Sequence, residues 1–173
     1  DIGGRYSALS LFGLVPAALL GWDPARFLAV DWKEDGALAK DLASRDTLPL
    51  VASPFSDWVE QLVAESLGKD GKGVLPMPGA EGGIDPLGGP ATPERLGEAC
   101  WRWMTATEKA GSVLGIDPFD QPDVEDAKAR TRRILAGEAV EVPKTRDVPH
   151  DPRPGDILAI LAWMPRTEES IAY

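Results

Sequence analysis

The chain of 173 residues carries a formal net charge of -10, with 43% hydrophobic and 27% charged residues. This balance is typical of a globular domain that can bury a core. The negative charge argues against a nucleic-acid surface, and no apolar run approaches the roughly 18 residues that a membrane helix needs. A single cysteine, Cys100, excludes an internal disulfide, which favours a reducing cytoplasm.

The N-terminal residues 1–5 predict a loop in which Gly3 and Gly4 permit positive φ and let the backbone approach a ligand closely. Arg5 follows them at the mouth of a helix predicted over residues 6–20, where free amide donors also favour an anion. Most Gly-Gly-Arg triplets are turns with a solvated arginine, so the triplet alone is a weak indication. The predicted core residues of this helix are Leu9, Phe12, Leu19 and Leu20.

Residues 22–45 mix charges with a short helical segment near residues 37–43 and predict surface structure. The apolar run TLPLVA at residues 47–52 predicts a buried parallel strand, although Pro49 removes one ladder donor. Both features precede the most informative stretch of the chain.

That stretch is DWVEQLVAESLGKDGKG at residues 57–73, which predicts a helix capped by Ser53 or Ser56 and ended by Gly68. Gln61 and Glu65 are four residues apart, so they lie one above the other at the border of the apolar stripe. A carboxylate held there can be partly desolvated, which favours its use as a general base. The run KDGKG that follows predicts a flexible polar loop. The stripe itself consists of Phe55, Trp58, Val59, Leu62 and Val63.

The second half of the chain begins with a Gly- and Pro-rich loop or linker predicted over residues 74–93. Thr92 and Pro93 then start a helix that runs to Leu114 and stops at Gly115. Its predicted core positions, or their near neighbours, are Leu96, Trp103, Ala110 and Val113. The prediction for the rest of the chain has four parts. They are a loop that packs Phe119, a helix over residues 124–136 capped by Asp123, strands over residues 138–142 and 155–164, and a helix starting at residue 167.

Other chemistries find little support in the sequence. No His, Cys and Asp cluster has metal-ligand spacing, so we expect no metal, and no Gly-rich dinucleotide fingerprint follows a strand. His150, the lone histidine, reads as a loop residue, and Cys100 lies inside an apolar helix as inert packing.

Three segments of the chain are, in order, IGGRYSALSLFGLVPAALLG, QLVAESLGKDGKG and VLGIDPFDQPDVEDAK. They resemble segments of glucose-6-phosphate isomerases, in the order that the family has them. The segments DWVEQLVAESLGKDGKGVLP and RPGDILAILAWMPRT are most similar to the isomerase half of bacterial transaldolase/glucose-6-phosphate isomerase fusions.

The resemblance implies a fold and a domain organisation. The fold is α/β, a doubly wound and mostly parallel sheet flanked by helices in three layers, of the SIS type and flavodoxin-like or Rossmann-like. Its central sheet should include residues 48–52 and 157–161. Residues 1–173 would form a single, partial domain, without the family's N-terminal phosphate-binding domain or its C-terminal helix. We expect a fragment of a protein that is a homodimer when complete.

The resemblance also implies a site. Glu65 matches the base that moves a proton between C1 and C2, and Arg5 matches the cation that stabilises the enediolate. Gln61 and Gly4 match substrate-binding positions, the substrate being glucose 6-phosphate or fructose 6-phosphate, with no cofactor. The tips of Arg5 and Glu65 should lie within about 12 Å of each other. The family's ring-opening histidine has no counterpart, so we expect little turnover from the chain alone.

Two alternatives stay open at this point. The chain could be a non-catalytic sugar-phosphate-binding module of the same fold, or a structural or interaction domain with Arg5 and Glu65 as ordinary surface residues. Exposure of both side chains on opposite faces would favour the structural reading.

Overall fold

The computed structural model describes residues 4–69, 71–120 and 122–138. The chain divides into two compact units, Asp1–Glu125 and Asp126–Tyr173. The described elements, in chain order, are the 3-10 helix η1 (Gly4–Tyr6), α1 (Leu11–Leu19), α2 (Pro24–Leu28), α3 (Gly36–Ser44), β1 (Thr47–Leu50), α4 (Pro54–Leu67), β2 (Leu75–Pro78), α5 (Pro93–Leu114) and α6 (Pro122–Leu135).

A small parallel sheet joins β1 and β2, with Leu48 opposite Pro76 and Leu50 opposite Pro78. Pro49 is tolerated because its main chain pairs outside the β1–β2 ladder, where its carbonyl accepts a hydrogen bond from the amide of Ile84 at 3.0 Å. The prediction of α/β structure with a parallel strand in this region is confirmed. Residues 157–161, the other predicted strand of the central sheet, lie outside the described residues.

The helix α4 follows β1 and places the candidate site residues. Ser53 caps it by accepting a hydrogen bond from the amide of Ser56 at 3.0 Å, and Pro54 occupies the first turn. Gly68 is the C-cap, as predicted. The buried positions of α4 share one stripe that faces the sheet and α5, and they are Ser56, Val59, Leu62, Val63, Ser66 and Leu67.

The helix α5 also agrees with the prediction. Thr92 caps it, and Gly115 ends it in the left-handed region at φ 67°. Trp103 is 1% exposed and donates its indole N–H to the carbonyl of Pro86 at 2.9 Å. Val113, by contrast, is exposed, because the last turn of α5 turns Ala110 and Gly111 toward the interior.

The prediction for the N-terminal helix was wrong in its start and in its core face. The helix α1 begins at Leu11 rather than at residue 6, and its one buried residue is Leu14. Leu9 packs partly against the core, whereas Phe12, Leu19 and Leu20 are exposed. The sequence LFGLVPAAL is apolar on every face of a helix, so its pattern cannot indicate which face is buried.

Residues 22–45 are not merely surface structure, contrary to expectation. Leu38, Ala39 and Leu42 of α3 belong to the core, since α3 packs against α5. Asp35 caps α3 by accepting a hydrogen bond from the amide of Leu38 at 2.9 Å, and this bond lowers the pKa of its carboxyl. The mixed charges around the helix obscured its short apolar stripe.

Two further predictions need correction. Residues 74–93 are not all loop, because β2 lies among them. Asp123 lies within α6 and does not cap it, since the helix begins at Pro122. Gly137 follows the helix at φ 79°, as the predicted stop requires. Several predictions lie outside the described residues. They are nearly all of the strand predicted over residues 138–142, all of the strand predicted over residues 155–164, the helix start at residue 167 and the loop position of His150.

Within the described part of the chain, none of the helices combines the length and the apolarity that crossing a bilayer requires.

Candidate functional site

The side chain of Arg5 is the centre of the candidate site, and only 1% of it is exposed. Its Nε donates a hydrogen bond to the hydroxyl of Ser66 at 2.8 Å, and its Nη2 donates to the carbonyls of Pro118 at 2.8 Å and Asp120 at 3.3 Å. Its Nη1 lies 3.3 Å from Oε2 of Glu65. The buried positive charge is thus held from two sides, by α4 and by the loop of residues 117–120.

The surroundings of Arg5 differ from those expected at a helix N-terminus. Arg5 lies within η1, and α1 begins only at Leu11, so the amides of that helix do not surround the guanidinium. Gly4 does not adopt the positive φ that glycine permits. A methyl group added at Gly4 would meet no atom within 4 Å, so its main chain borders open space that a ligand can approach.

Glu65 and Gln61 lie on the solvent side of α4, one turn apart. Gln61 donates its side-chain amide to Oε1 of Glu65 at 3.1 Å, and 39% of the Glu65 side chain is exposed. The carboxylate therefore lies between the amide of Gln61 and the guanidinium of Arg5. The structure brings these three predicted site residues into one hydrogen-bonded row at the C-terminal end of α4, and their roles stay predictions.

Ser66 is a site residue that the sequence reasoning missed. It is fully buried, and its hydroxyl accepts hydrogen bonds from Arg5 and, at 3.1 Å, from the hydroxyl of Tyr6. Burial raises the pKa of Tyr6 above its usual value. Its position directly after Glu65 turns it from the border of α4 toward the interior, but the residue pattern alone does not show that Arg5 meets it there.

Lys69 is the second residue that was missed, and the prediction of a flexible polar loop was wrong for it. Its ammonium is buried and donates to the carbonyls of Asp117 and Asp120, each at 2.6 Å, and it forms an ion pair with the Asp120 carboxylate. Lys72 is exposed and donates to the carbonyl of Leu114 at 2.9 Å. A lysine after a helix-ending glycine is usually solvated, so the pattern alone gave no reason to expect burial.

Neither a nucleophilic thiol nor a metal cluster appears in the described residues. Burial raises the pKa of the Cys100 thiol to about 12, which leaves almost no thiolate at neutral pH. Among the residues described, no group of three or more His, Cys, Asp or Glu could hold a metal ion.

Comparison with known proteins gives several relatives named glucose-6-phosphate isomerase. The protein of Rubrobacter xylanophilus is 40% identical over 108 residues, which cover 49% of this chain and 25% of that protein. The probable glucose-6-phosphate isomerase of Natronomonas pharaonis is 37% identical over 97 residues, covering 43% and 23% respectively. That of Symbiobacterium thermophilum is 24% identical over 235 residues, covering 78% of this chain and 51% of that protein. No family model matches the chain.

These relatives support a relationship to the glucose-6-phosphate isomerase family, at modest sequence identity. The chain spans between about a quarter and about half of the length of the three relatives.

The buried hydroxyl of Ser66 generates a stability prediction. Ser66→Ala leaves Nε of Arg5 and the hydroxyl of Tyr6 without this acceptor, so we expect a loss of about 1–3 kcal/mol in the free energy of unfolding. Ser112→Ala is the matched control, because Ser112 is an exposed helical serine on α5. We expect its effect to stay within about 0.5 kcal/mol. Urea denaturation of both variants measures the difference, and equal effects would contradict the hydrogen bonding described for Ser66.

The partly buried thiol of Cys100 generates a prediction about reactivity. At pH 8 a thiol whose pKa is about 12 is ionised to roughly one part in 10⁴, whereas an unfolded cysteine with a pKa near 8.5 is ionised to about a quarter. Reaction with a chromogenic disulfide should therefore be at least about 100-fold slower in the native protein than in denaturant. Comparable rates in the two states would mean that Cys100 is open to solvent.

Proposed function

We propose that this chain carries the base and the arginine of a glucose-6-phosphate isomerase, which interconverts glucose 6-phosphate and fructose 6-phosphate through a cis-enediolate. The observation that carries the proposal is the contact between buried Arg5 and Glu65, at 3.3 Å, on segments that resemble the family's motifs. The names of the relatives support the same reaction class.

The reaction requires one carboxylate to take a proton from carbon and give it back to the neighbouring carbon. Starting from the open-chain aldose, Glu65 removes the C2 proton, and the electrons of that C–H bond form the C1–C2 double bond while the carbonyl electrons move to O1. The hydroxyl proton on O2 passes to O1, the electron pair left on O2 forms the C2 carbonyl, and the electrons of the C1–C2 double bond take the proton back from Glu65 at C1. The partial exposure of Glu65 gives a substrate access to its carboxylate.

Arg5 is suited to stabilise the charge that develops on the enediolate oxygens. A guanidinium is a permanent cation in proteins. The Nε and Nη2 of Arg5 are occupied by Ser66, Pro118 and Asp120. The cation is therefore fixed before substrate arrives, with Nη1 directed toward Glu65. Such preorganisation makes a charge effective in the transition state, because little reorganisation is needed during the reaction.

Gln61 and Gly4 complete the proposed site. The amide of Gln61 orients the Glu65 carboxylate through Oε1 and can contact a substrate hydroxyl. The open space beside Gly4 admits the sugar close to the main chain. The substrate class is a hexose phosphate, and the chemistry of these residues calls for no cofactor or metal.

Turnover is proposed for the full-length protein and not for this chain alone. No segment here matches a phosphate-binding loop, and the one histidine lies outside the described residues. In the full-length protein we expect a cytoplasmic homodimer in which residues 1–173 contribute one SIS-type, three-layer domain.

The other two functions fit the site less well. A structural or interaction domain with Arg5 and Glu65 as ordinary surface residues on opposite faces fits less well, because Arg5 is buried and lies 3.3 Å from the Glu65 carboxylate. A non-catalytic sugar-phosphate-binding module would use the same arginine without needing the carboxylate as a base. The fate of the C2 proton separates this module from an enzyme.

The role of Glu65 generates the functional prediction. In the full-length protein, Glu65→Gln should slow exchange of the C2 proton of glucose 6-phosphate with solvent by about 10²- to 10⁴-fold, because the amide cannot accept a proton. Glu60→Gln removes an exposed carboxylate from the same helix and should leave the exchange unchanged. Proton NMR in D₂O measures this step directly. Wild-type exchange in the Glu65→Gln protein would contradict the proposed base.

A further inference from the structure

Lys69 and Arg5 bind the same loop, although they are far apart in sequence and belong to different segments. The carbonyl of Asp120 accepts from Nη2 of Arg5 at 3.3 Å and from Nζ of Lys69 at 2.6 Å. Arg5 adds the carbonyl of Pro118, and Lys69 adds the carbonyl of Asp117. The loop of residues 117–120 therefore connects the two cations through its main-chain oxygens.

The ammonium of Lys69 has as many N–H donors as the loop offers it acceptors, and its positive charge is opposite to that of the Asp120 carboxylate. An ammonium has three N–H donors, and Lys69 directs them at three acceptors, the carbonyls of Asp117 and Asp120 and the carboxylate of Asp120. Only 6% of the Lys69 side chain is exposed, so an unpaired charge there would be costly. The arrangement holds the loop by its backbone, whatever side chains the loop carries at Asp117 and Pro118.

The loop also packs closely on its other sides. A methyl group added at Gly111 of α5 would lie 3.1 Å from Cβ of Pro118, so glycine permits the close approach of the loop to the helix. The ring of Phe119 lies 5.0 Å from the ring of Tyr6, the residue after Arg5. These contacts fix where the loop lies, and Lys69 fixes how its carbonyls point.

We propose that Lys69 is a positioning residue, which orients the guanidinium of Arg5 by holding the carbonyls of the 117–120 loop that Arg5 binds. Lys69 itself does not touch the substrate. Without it, the partly buried carbonyls of Asp117 and Asp120 lose their common donor and the loop can rotate, so Nη2 of Arg5 loses fixed acceptors. The guanidinium then samples several orientations beside Glu65 instead of one. The link to catalysis rests on the proposed function, whereas the link between Lys69 and Arg5 does not.

The first test observes Arg5 without requiring any activity. In the protein labelled with ¹⁵N-arginine, the buried Nε–H of Arg5 should exchange slowly with solvent. Lys69→Met should accelerate this exchange by at least about tenfold, which corresponds to a local opening easier by about 1.4 kcal/mol. Lys72→Met is the matched control, because Lys72 is a nearby lysine that also donates to a main-chain carbonyl, that of Leu114. An unchanged Arg5 signal in a folded Lys69→Met protein, or equal acceleration by both variants, overturns the proposal.

Two checks protect this test against a variant that fails to fold. Lys69→Gln keeps an amide donor on a shorter side chain and should change the Arg5 signal in the same direction. In the wild-type protein, the Nζ–H protons of Lys69 should be visible at neutral pH, whereas those of exposed Lys72 should exchange away. Loss of the Lys69 signal in the wild-type protein by the same rapid exchange would contradict its anchored state without any substitution.

The second test uses a double-mutant cycle in the full-length protein. If Lys69 acts through Arg5, Lys69→Met should lower kcat for C2-proton exchange with little change in KM, and it should add almost nothing in an Arg5→Ala background. Lys72→Met should leave both parameters unchanged. Additive losses at Lys69 and Arg5 would show that Lys69 supports the fold rather than the arginine. Absence of exchange in the wild-type protein would refute the proposed function, and the Arg5 signal would still decide the role of Lys69.

Discussion

The need to satisfy the buried guanidinium of Arg5 is the constraint on which the candidate site depends. A charged group taken out of water destabilises the native state unless hydrogen bonds and a counter-charge replace its hydration. Here the replacements come from the hydroxyl of Ser66, the carboxylate of Glu65 and the carbonyls of Pro118 and Asp120. Ser66 lies 61 residues and Pro118 113 residues from Arg5 along the chain, so segments far apart in sequence must meet at one side chain. This side chain links the N-terminal turn, the end of α4 and the loop after α5.

The core supports this meeting point through short, well-defined helix ends. Ser53 and Gly68 set the length of α4, so its last turn presents Glu65 and Ser66 on adjoining faces. Thr92 and Gly115 do the same for α5, after which the chain enters the 117–120 loop. Because one residue in the last turn of α4 faces solvent and the next faces the interior, the same helix end supplies both an accessible carboxylate and a buried anchor.

The sequence predicted the elements whose ends carry strong local signals and whose apolar residues lie on one face. The bounds of α5, the cap of α4 and the parallel strand at Thr47–Leu50 are of this kind. The exposed face of α1 could not be predicted, because LFGLVPAAL is apolar all round and only tertiary packing selects Leu14. The burial of α3 was missed since its three core residues lie among charged neighbours.

The residues of the candidate site also divide into those that the sequence indicated and those that it did not. The family motifs indicated Arg5, Glu65, Gln61 and Gly4, and the four lie in or beside one hydrogen-bonded row. Ser66 and Lys69 could not be identified from local patterns, because their partners are Arg5 and backbone oxygens distant in sequence. A hydrogen bond to a remote main-chain carbonyl leaves no trace in residue type or spacing. Only the folded chain reveals such partners.

The most direct measurement of the central claim is a titration of the full-length, ¹⁵N-labelled protein with fructose 6-phosphate, followed by NMR. If the Arg5–Glu65 row binds the sugar, the Nε–H of Arg5 and the side-chain amide of Gln61 should shift together and reach saturation. The indole N–H of Trp103, which donates to Pro86 inside the core, should stay in place. Saturable binding that leaves Arg5 and Gln61 unchanged, or the absence of any saturable shift, would contradict the assignment of this row as the substrate site.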